Sequence, residues 1–377
     1  MRDRKLLTFL LAAAGLLLVP IVAQQFGNAW VRIVDLALLY VLLALGLNIV
    51  VGYAGLLDLG YVAFYAVGAY LFGLLASPHL WETFPGLHAL LPKGLHTPIW
   101  VVVPLGALVA GTFGVLLGAP TLKLRGDYLA IVTLGFGEII RVFLNNLDAP
   151  VNITNGPKGL AQIDSMKVFG LDLGRGLDLG FVSLPPVSLY YYLFLVLVVV
   201  SVIICARLER SRIGRAWMAI REDEIAAKAM GIDTRNLKLL AFGMGATFGG
   251  VSGVMFAAFQ GFVSPESFSL QESVMIVAMV VLGGIGHLPG VVLGAVLLAA
   301  LPEVLRYVAG PLQQLSGGRL DASILRQLLV ALAMIGIMLA RPRGLWPSPE
   351  HRGDAAPLPT TLDDDQRLAQ GAGGKVR

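Results

Sequence analysis

The sequence predicts an all-α, polytopic membrane protein with about ten transmembrane helices. Of the 377 residues, 56% are hydrophobic and only 14% are charged, whereas soluble domains carry roughly a quarter charged residues. Apolar runs long enough to cross the hydrocarbon core of a bilayer recur along most of the chain. One polar stretch, residues 207–238, separates two long apolar runs and holds eight of the 28 Lys and Arg residues. These observations indicate a body embedded in lipid with one prominent charged connection, which we call the central polar segment.

Ten apolar segments follow one another from the N-terminus. The first comes directly after a short basic stretch, so a cleaved signal peptide ending near Ala23 is an alternative to a retained span. We favour a retained span because many further spans follow it. The predicted spans are 6–23, 34–51, 60–76, 99–118, 127–144, 188–206, 239–260, 272–285, 289–305 and 323–340.

The distribution of basic residues predicts which connections face the cytoplasm. With the N-terminus inside, nineteen of the 28 Lys and Arg residues fall in cytoplasmic segments, in agreement with the positive-inside rule. The opposite orientation would place the central polar segment outside, against that rule. We therefore expect both termini in the cytoplasm, a transmembrane domain over residues 1–346 and a polar, disordered tail over residues 347–377.

Two glycine-rich stretches interrupt the apolar pattern: the first break, residues 51–60, and the second break, residues 282–290. Each contains a Gly-x-x-Gly pair, and each is followed by an apolar run with a Gly-Ala pair. Such interruptions at matching places in two halves are typical of internal repeats around a midplane pathway, but membrane helices are rich in Gly anyway, so a repeat remains open. Asp58 either caps a helix or contacts cargo. The candidate pathway or helix-break residues are Gly52, Gly55, Asp58, Gly283, Gly286 and His287.

The longest predicted external connection covers residues 145–187 and contains several turns rich in Gly and Asp. Its Asn152-Ile-Thr154 triplet fits a glycosylation pattern that is common by chance, and we give it no weight. The connection is either a folded outer lobe that receives a soluble partner or a plain connecting loop. Both interpretations are open at this stage.

Ionisable residues within predicted spans cost about 2.5–3.5 kcal/mol each on insertion scales, so each requires a reason. Asp35, Glu272 and Glu303 lie near predicted outer ends of spans, where we expect their side chains to reach water. Glu138 and Arg141 are spaced i, i+3 on one predicted helix and can neutralise each other. We therefore favour structural roles over transport roles for these five residues.

The sequence lacks several common motifs of enzyme active sites and nucleotide-binding sites. It contains no Gly-x-Ser-x-Gly, no His-Glu-x-x-His and no phosphate-binding Gly-x-x-x-x-Gly-Lys-Ser/Thr loop. The single Cys205 excludes an intramolecular disulfide, and the five His residues show no spacing typical of metal ligands. The basic residues flank spans, which argues against nucleic acid as a partner. We therefore expect no enzyme activity and no bound cofactor.

The central polar segment contains the signals of a short capped helix. Asp223 is a suitable N-cap, and Glu224 follows in the first turn, where the helix dipole favours an anion. Glu224 and Lys228 are spaced i, i+4 in the favourable order, and Gly231 is placed to end the helix in a left-handed conformation. A short, rigid, charged helix between two spans predicts a contact site for a cytoplasmic partner.

This helix resembles the cytoplasmic loop of bacterial ABC importer permeases, in which a Glu-Ala-Ala-x-x-x-Gly motif forms a coupling helix that docks on an ATPase subunit. Glu224, Ala226, Ala227 and Gly231 match the motif, with Ile225 inserted after the Glu. The resemblance extends to a family, the LivM-type permeases of branched-chain amino acid importers. It rests on GYAGLLDLGYVAFYAVGAY, LKLRGDYLAIVTLGFGEIIR, NGPKGL, SRIGRAWMAIREDEIAAKAMGI, VLGGIGHLPGVVLGA and RPRGLWP.

The resemblance implies a permease subunit in the bacterial inner membrane. Its implied partners are a second homologous permease, two ABC ATPase subunits and a periplasmic amino-acid-binding protein, and the implied cargo is leucine, isoleucine and valine. The related urea permeases share the architecture, so urea is an alternative cargo. A self-contained secondary transporter or channel is a second alternative, although it would leave the charged helix without a purpose. The resemblance assigns ATPase docking to Arg221, Glu222, Asp223, Glu224, Ala226, Ala227 and Gly231.

Overall fold

A computed structural model of the chain consists almost entirely of helices. It describes residues 2–25, 27–84, 97–122, 124, 126–168, 170–178, 183–315, 322–341 and 344–346, so the predicted tail lies outside the described residues. The α-helices are α1 (Arg2–Gln25), α2 (Asn28–Asn48), α3 (Val62–Ala76), α4 (His79–Thr83), α5 (Ile99–Thr121), α6 (Asp127–Asn145), α7 (Pro186–Glu209), α8 (Arg212–Glu222), α9 (Glu224–Ala229), α10 (Thr234–Gln260), α11 (Leu270–Gly283), α12 (Leu288–Leu315) and α13 (Ala322–Ala340).

Each of the ten predicted spans coincides with one of these helices, which confirms a polytopic helical membrane fold. Among the residues that the structure describes, five segments are long and apolar enough to cross a membrane, namely Asn28–Tyr53, Ile99–Thr121, Pro186–Glu209, Thr234–Gln260 and Leu288–Arg306. Shorter apolar helices lie in α1, α3, α11 and α13. The π-helix Ile49–Tyr53 continues α2 into the first break.

Helix α10 lies at the centre of the fold, where it packs most extensively against α5 and α3 and also contacts α2. Small residues make this close packing possible. A Cβ atom added at Gly250 would lie 2.5 Å from Cβ of Ala110 on α5, and one added at Gly68 on α3 would lie 2.7 Å from Cα of Gly250. Small residues at such crossings are typical of membrane helices, since they let backbones approach closely.

Helix α2 is also enclosed by protein, because α7, α10, α11 and α12 pack around it. This arrangement corrects one sequence-based expectation. Asp35 was expected to reach water at a span end, but its side chain is completely buried on α2. Neither of its carboxylate oxygens has a hydrogen-bond partner among the described residues.

The segment between α6 and α7 is folded. Its described residues form two short antiparallel strand pairs, β1 (Lys167–Val168) with β2 (Leu171–Asp172) and β3 (Leu177–Asp178) with β4 (Ser183–Leu184). Leu160 forms a β-bridge with Val263 and is buried with Ile163 and Met166. The Ser165 hydroxyl donates to Asp172, and this hydrogen bond lowers the pKa of the Asp172 carboxyl. The described part of this segment is therefore ordered by contacts within itself and with Val263, and its role as an outer lobe that receives a soluble partner stays a prediction.

Candidate functional site

The central polar segment is anchored to the helix that follows it. Ser211 is the N-cap of helix α8, and its hydroxyl accepts the Gly214 N–H at 3.1 Å. Trp217 of α8 is completely buried, and its Nε1–H donates to the carbonyl oxygen of Leu237 at 2.7 Å. Because Leu237 belongs to α10, this bond fixes α8 against the start of the central helix.

Helix α9 has the predicted caps. The Asp223 carboxylate accepts the backbone N–H groups of Ile225 at 2.8 Å and Ala226 at 3.0 Å, as expected of an N-cap. Gly231 has a φ of 85°, the left-handed conformation that ends helices without a Cβ penalty. The sequence signals for a short capped helix are confirmed, since both depend on local geometry.

Glu224 has a partner that sequence reasoning missed. Its carboxylate lies 2.7 Å from Nζ of Lys238 on α10, and the Lys238 side chain is only 8% exposed. The sequence spacing had suggested Lys228, which is exposed. The pair with Lys238 fastens α9 to α10, and a local spacing rule contains no signal for a partner on another helix.

The outward face of α9 is partly apolar. Ile225 is 71% exposed and Met230 is 84% exposed, while Glu222, Asp223 and Ala226 are also exposed. Ala227 is buried, so of the two predicted Ala contacts only Ala226 is available to a partner. The surface formed by Ile225, Ala226 and Met230 is called the α9 face below.

The two glycine-rich breaks meet each other. Gly286 of the second break donates its backbone N–H to the side-chain oxygen of Asn48, at the end of α2, at 2.9 Å. A Cβ atom added at Gly52 would lie 2.8 Å from the Gly286 nitrogen. In each Gly-x-x-Gly pair the second glycine has a positive φ, 68° at Gly55 and 82° at Gly286. The two breaks therefore contact each other, and their origin as matched interruptions of a repeat stays a prediction. Asn48 is a contact that the sequence did not indicate.

Arg221 joins the central polar segment to these breaks. Its Nη1 donates to the carbonyl oxygen of Gly52 at 2.6 Å. Beside this bond a cleft of about 230 Å³ opens between the first break, the start of α6 and the central polar segment, and Asp127, Glu224 and Lys238 also line it. Charged groups of both signs therefore converge where the first break meets α8.

Comparisons with known proteins identify the family. Residues 30–339 match the family described as branched-chain amino acid transport system / permease component. The high-affinity branched-chain amino acid transport system permease protein LivM of Escherichia coli (strain K12) is 42% identical over 345 residues, which cover 88% of this chain and 73% of the relative. The chain belongs to the branched-chain amino acid transport permease family. Because this is a family of transport components, the expectation that the chain is not itself an enzyme is confirmed.

More distant relatives of this permease carry related names. The permease protein LivH of E. coli (strain K12) is 25% identical over 331 residues, covering 87% of this chain and 96% of the relative. BraD of Pseudomonas aeruginosa (strain PAO1) is 25% identical over 265 residues, covering 69% of this chain and 79% of the relative. No solved structure gives a significant match.

In this permease the second break is held by Leu345 and Trp346. The backbone N–H of Leu345 donates to the carbonyl oxygen of Leu282 at 2.8 Å. His287 Nδ1 lies 2.9 Å from the carbonyl oxygen of Trp346, and Gly283 is buried. His287, a predicted pathway residue, thus has a backbone partner within the chain.

Asp58 of this permease is buried inside the first break. One carboxylate oxygen accepts the Gly60 N–H at 2.9 Å, which closes a turn before α3. The N-cap position of α3 is Tyr61, and no side chain makes a capping hydrogen bond there, so Asp58 does not cap this helix. The second oxygen has no hydrogen-bond partner among the described residues. It adjoins a small cavity that Thr121 and Thr133 also line.

The other ionisable candidates of this permease have partners. The Arg141 guanidinium bonds to Glu138, as predicted. Glu272 accepts the Tyr40 hydroxyl at 2.9 Å, and Glu303 lies 2.6 Å from Arg306. These contacts favour the structural roles expected from the sequence.

Proposed function

We propose that this permease is the membrane-spanning subunit of an ATP-driven importer for branched-chain amino acids. In this proposal it forms the translocation pathway with a second, homologous permease. Two ABC ATPase subunits bind on the cytoplasmic side, and a periplasmic binding protein delivers leucine, isoleucine or valine to the outer lobe. The cargo assignment is supported by the family and by the relatives' names.

The observation that carries the proposal is the α9 face. Two large apolar side chains, Ile225 and Met230, are more exposed than not, on a helix flanked by charged residues. Exposed apolar groups rimmed by polar residues indicate a protein contact surface. The predicted docking residues Glu222, Asp223 and Ala226 lie on the same exposed part of the segment.

A docking helix must also pass the movement of its partner to the rest of the protein, and the contacts of α9 hold it firmly enough for this role. The Asp223 carboxylate caps its start, and the Glu224–Lys238 pair ties its first turn to α10. Trp217 fastens the preceding helix to α10 as well. Movement of a partner bound to α9 is therefore delivered to the centre of the fold rather than absorbed in a flexible loop.

The orientation follows from the placement of charge. The proposal puts the central polar segment, both termini and the 347–377 tail in the cytoplasm, in accordance with the positive-inside rule. It also puts the outer lobe in the periplasm, on the opposite side of the bacterial inner membrane. Residues 1–346 then form the transmembrane permease domain.

The proposal is tested by reconstituting the permease with its partner permease and ATPase subunits in proteoliposomes, with the periplasmic binding protein supplied on the side of the outer lobe. Uptake of leucine and of urea is measured with and without ATP, together with the rate of ATP hydrolysis. The double substitution Ile225→Ser and Met230→Ser is compared with Ile213→Ser, an apolar residue of α8 that is 36% exposed. We expect ATP-dependent leucine uptake that the double substitution abolishes and the control preserves.

Other results would contradict the proposal. Saturable leucine uptake by the permease alone, without ATP, would favour a self-contained transporter. ATP-dependent uptake of urea but not of leucine would show that urea, and not a branched-chain amino acid, is the cargo. Equal uptake by the double variant and the control would remove the α9 face as the docking surface.

A further inference from the structure

Arg221 was grouped with the docking residues on sequence grounds, but its side chain turns inward. Arg221 is partly buried, whereas Glu222 and Asp223, directly after it, are exposed. Its guanidinium donates to the Gly52 carbonyl oxygen. A Cβ atom added at Gly55 would lie 2.8 Å from Arg221 Cγ, so the aliphatic part of the side chain lies against the first break.

The acceptor of this bond is at a helix end. Gly52 lies in the π-helix that terminates α2, and carbonyl groups in the last turn of a helix lack partners within the helix. A cation is favourable at such a C-terminus because of the helix dipole. Arg221 therefore satisfies a backbone group that would otherwise be without a partner, and it does so from a different part of the chain.

The second break meets the same point. Gly286 donates to Asn48, in the turn before Gly52. A Cβ atom added at Gly286 would lie 2.9 Å from Arg221 Nη1 and 3.2 Å from the Gly52 oxygen. Helix α12 begins at Leu288, directly after this contact. Arg221, the end of α2 and the start of α12 are thus joined through two hydrogen bonds.

We propose, on the basis of the proposed function, that Arg221 and Asn48 form a link that carries displacement of α9 to both glycine-rich breaks. Arg221 is a positioning residue in this role and does not contact the ATPase. Asp223 ends α8 and caps α9, since its N–H donates to the Ala219 carbonyl and its carboxylate accepts from α9. Motion of α9 is therefore passed to Arg221 without an intervening loop.

The test uses the complete complex in proteoliposomes with Arg221→Met, and with Arg215→Met as the matched control. Arg215 is an exposed arginine on the same helix, and its Nη1 donates to the nearby Arg210 carbonyl oxygen at 2.8 Å. Three quantities are measured: recovery of the ATPase subunits, ATP hydrolysis and leucine uptake. A fourth reports on the second break directly. Cys205, the only cysteine of the chain, is replaced by Ser, and the thiol labelling rate of Ile285→Cys is compared with and without ATP, at a position that is 38% exposed.

We expect Arg221→Met to leave assembly and ATP hydrolysis in place, to lower leucine uptake by about tenfold or more, and to abolish the nucleotide-dependent change in labelling at position 285. Arg215→Met should preserve all four quantities. Asn48→Leu should reproduce the loss, and Asn48→Asp, which keeps an acceptor for the Gly286 N–H, should retain coupling. The two Asn48 variants test the same link even if Arg221→Met does not fold.

Two results would overturn the link, and a third would overturn the proposed function. Loss of the ATPase subunits from Arg221→Met would make Arg221 a docking residue. Uptake and labelling like those of Arg215→Met would show that no displacement passes through Arg221. A complex without substitutions that takes up no leucine with ATP would overturn the proposed function itself, and the comparison with that complex separates this failure from failure of the link alone.

Discussion

The Nζ atom of Lys238 lies 2.7 Å from a carboxylate oxygen of Glu224, and the Lys238 side chain is almost completely buried. The pair connects a six-residue helix on the polar surface to a 27-residue helix in the middle of the fold. A lysine is rarely buried to this extent without a partner. The pair therefore explains how α9 is held in one orientation on α10.

Removing the carboxylate should destabilise the permease. Glu224→Gln leaves the buried Lys238 without its counter-ion. We expect a loss of about 3 kcal/mol, the low end for breaking a buried pair, because the Glu224 side chain is 30% exposed. Lys238→Met should cost less, and the double variant should recover part of the loss. Thermal unfolding midpoints of the four proteins in detergent provide the double-mutant cycle. Additive effects would show that the two side chains do not interact.

Loss of the cap should loosen α9 alone. Asp223→Ala removes the acceptor of the Ile225 and Ala226 N–H groups and should cost about 1 kcal/mol of helix stability. Hydrogen exchange at these two amides should accelerate, while Asp223→Ser, which keeps a capping oxygen, should protect them. Unchanged exchange in Asp223→Ala would contradict the capping role.

Gly231 should tolerate asparagine better than valine. Its φ of 85° is left-handed, and a Cβ atom there would meet nothing within 4 Å. The penalty of a substitution is therefore backbone strain, about 1–2 kcal/mol for an L-residue and less for Asn. In the reconstituted complex, Gly231→Val should lower leucine uptake per ATP hydrolysed while the protein still inserts, and Gly231→Asn should stay close to the parent. Equal uptake by Gly231→Val and Gly231→Asn would show that transport does not require the left-handed conformation at position 231.

Two helical glycines should respond to alanine in opposite directions. Gly250→Ala forces a Cβ atom against Ala110 on α5, and such overpacking costs about 1–3 kcal/mol. A Cβ atom at Gly135 of α6 would meet nothing within 4 Å, so Gly135→Ala should stabilise by about 0.5–1 kcal/mol. The thermal unfolding midpoints of the two variants and of the parent protein in detergent test both expectations. A lower midpoint for Gly135→Ala than for Gly250→Ala would contradict the packing around α10.

Local sequence signals predicted much of the fold and part of the candidate site. The helices that coincide with the ten predicted spans follow from the length of the apolar runs. The roles of Asp223 and Gly231 follow from the local chemistry of helix caps. The resemblance of the segments around the breaks and the central polar segment led to the correct family.

The contacts that assemble the site join different helices, and no spacing rule within one helix indicates them. Glu224 pairs with Lys238 on α10 and not with Lys228 on its own helix. Arg221 donates to the Gly52 carbonyl oxygen instead of facing outward. Asp35 was placed near water because it lies toward the end of a span, yet the helices packed around α2 bury it. Each of these outcomes depends on which helices become neighbours.

The most direct test of the account asks what the exposed end of α9 touches. Met230→Cys is prepared with Cys205→Ser in the assembled complex, and inside-out membrane vesicles are treated with an impermeant thiol reagent and with a thiol-to-amine crosslinker. We predict a crosslink from position 230 to the ATPase subunit, and faster labelling when that subunit is stripped away. Labelling from the outside of right-side-out vesicles, or a rate that does not depend on the ATPase subunit, would contradict the account.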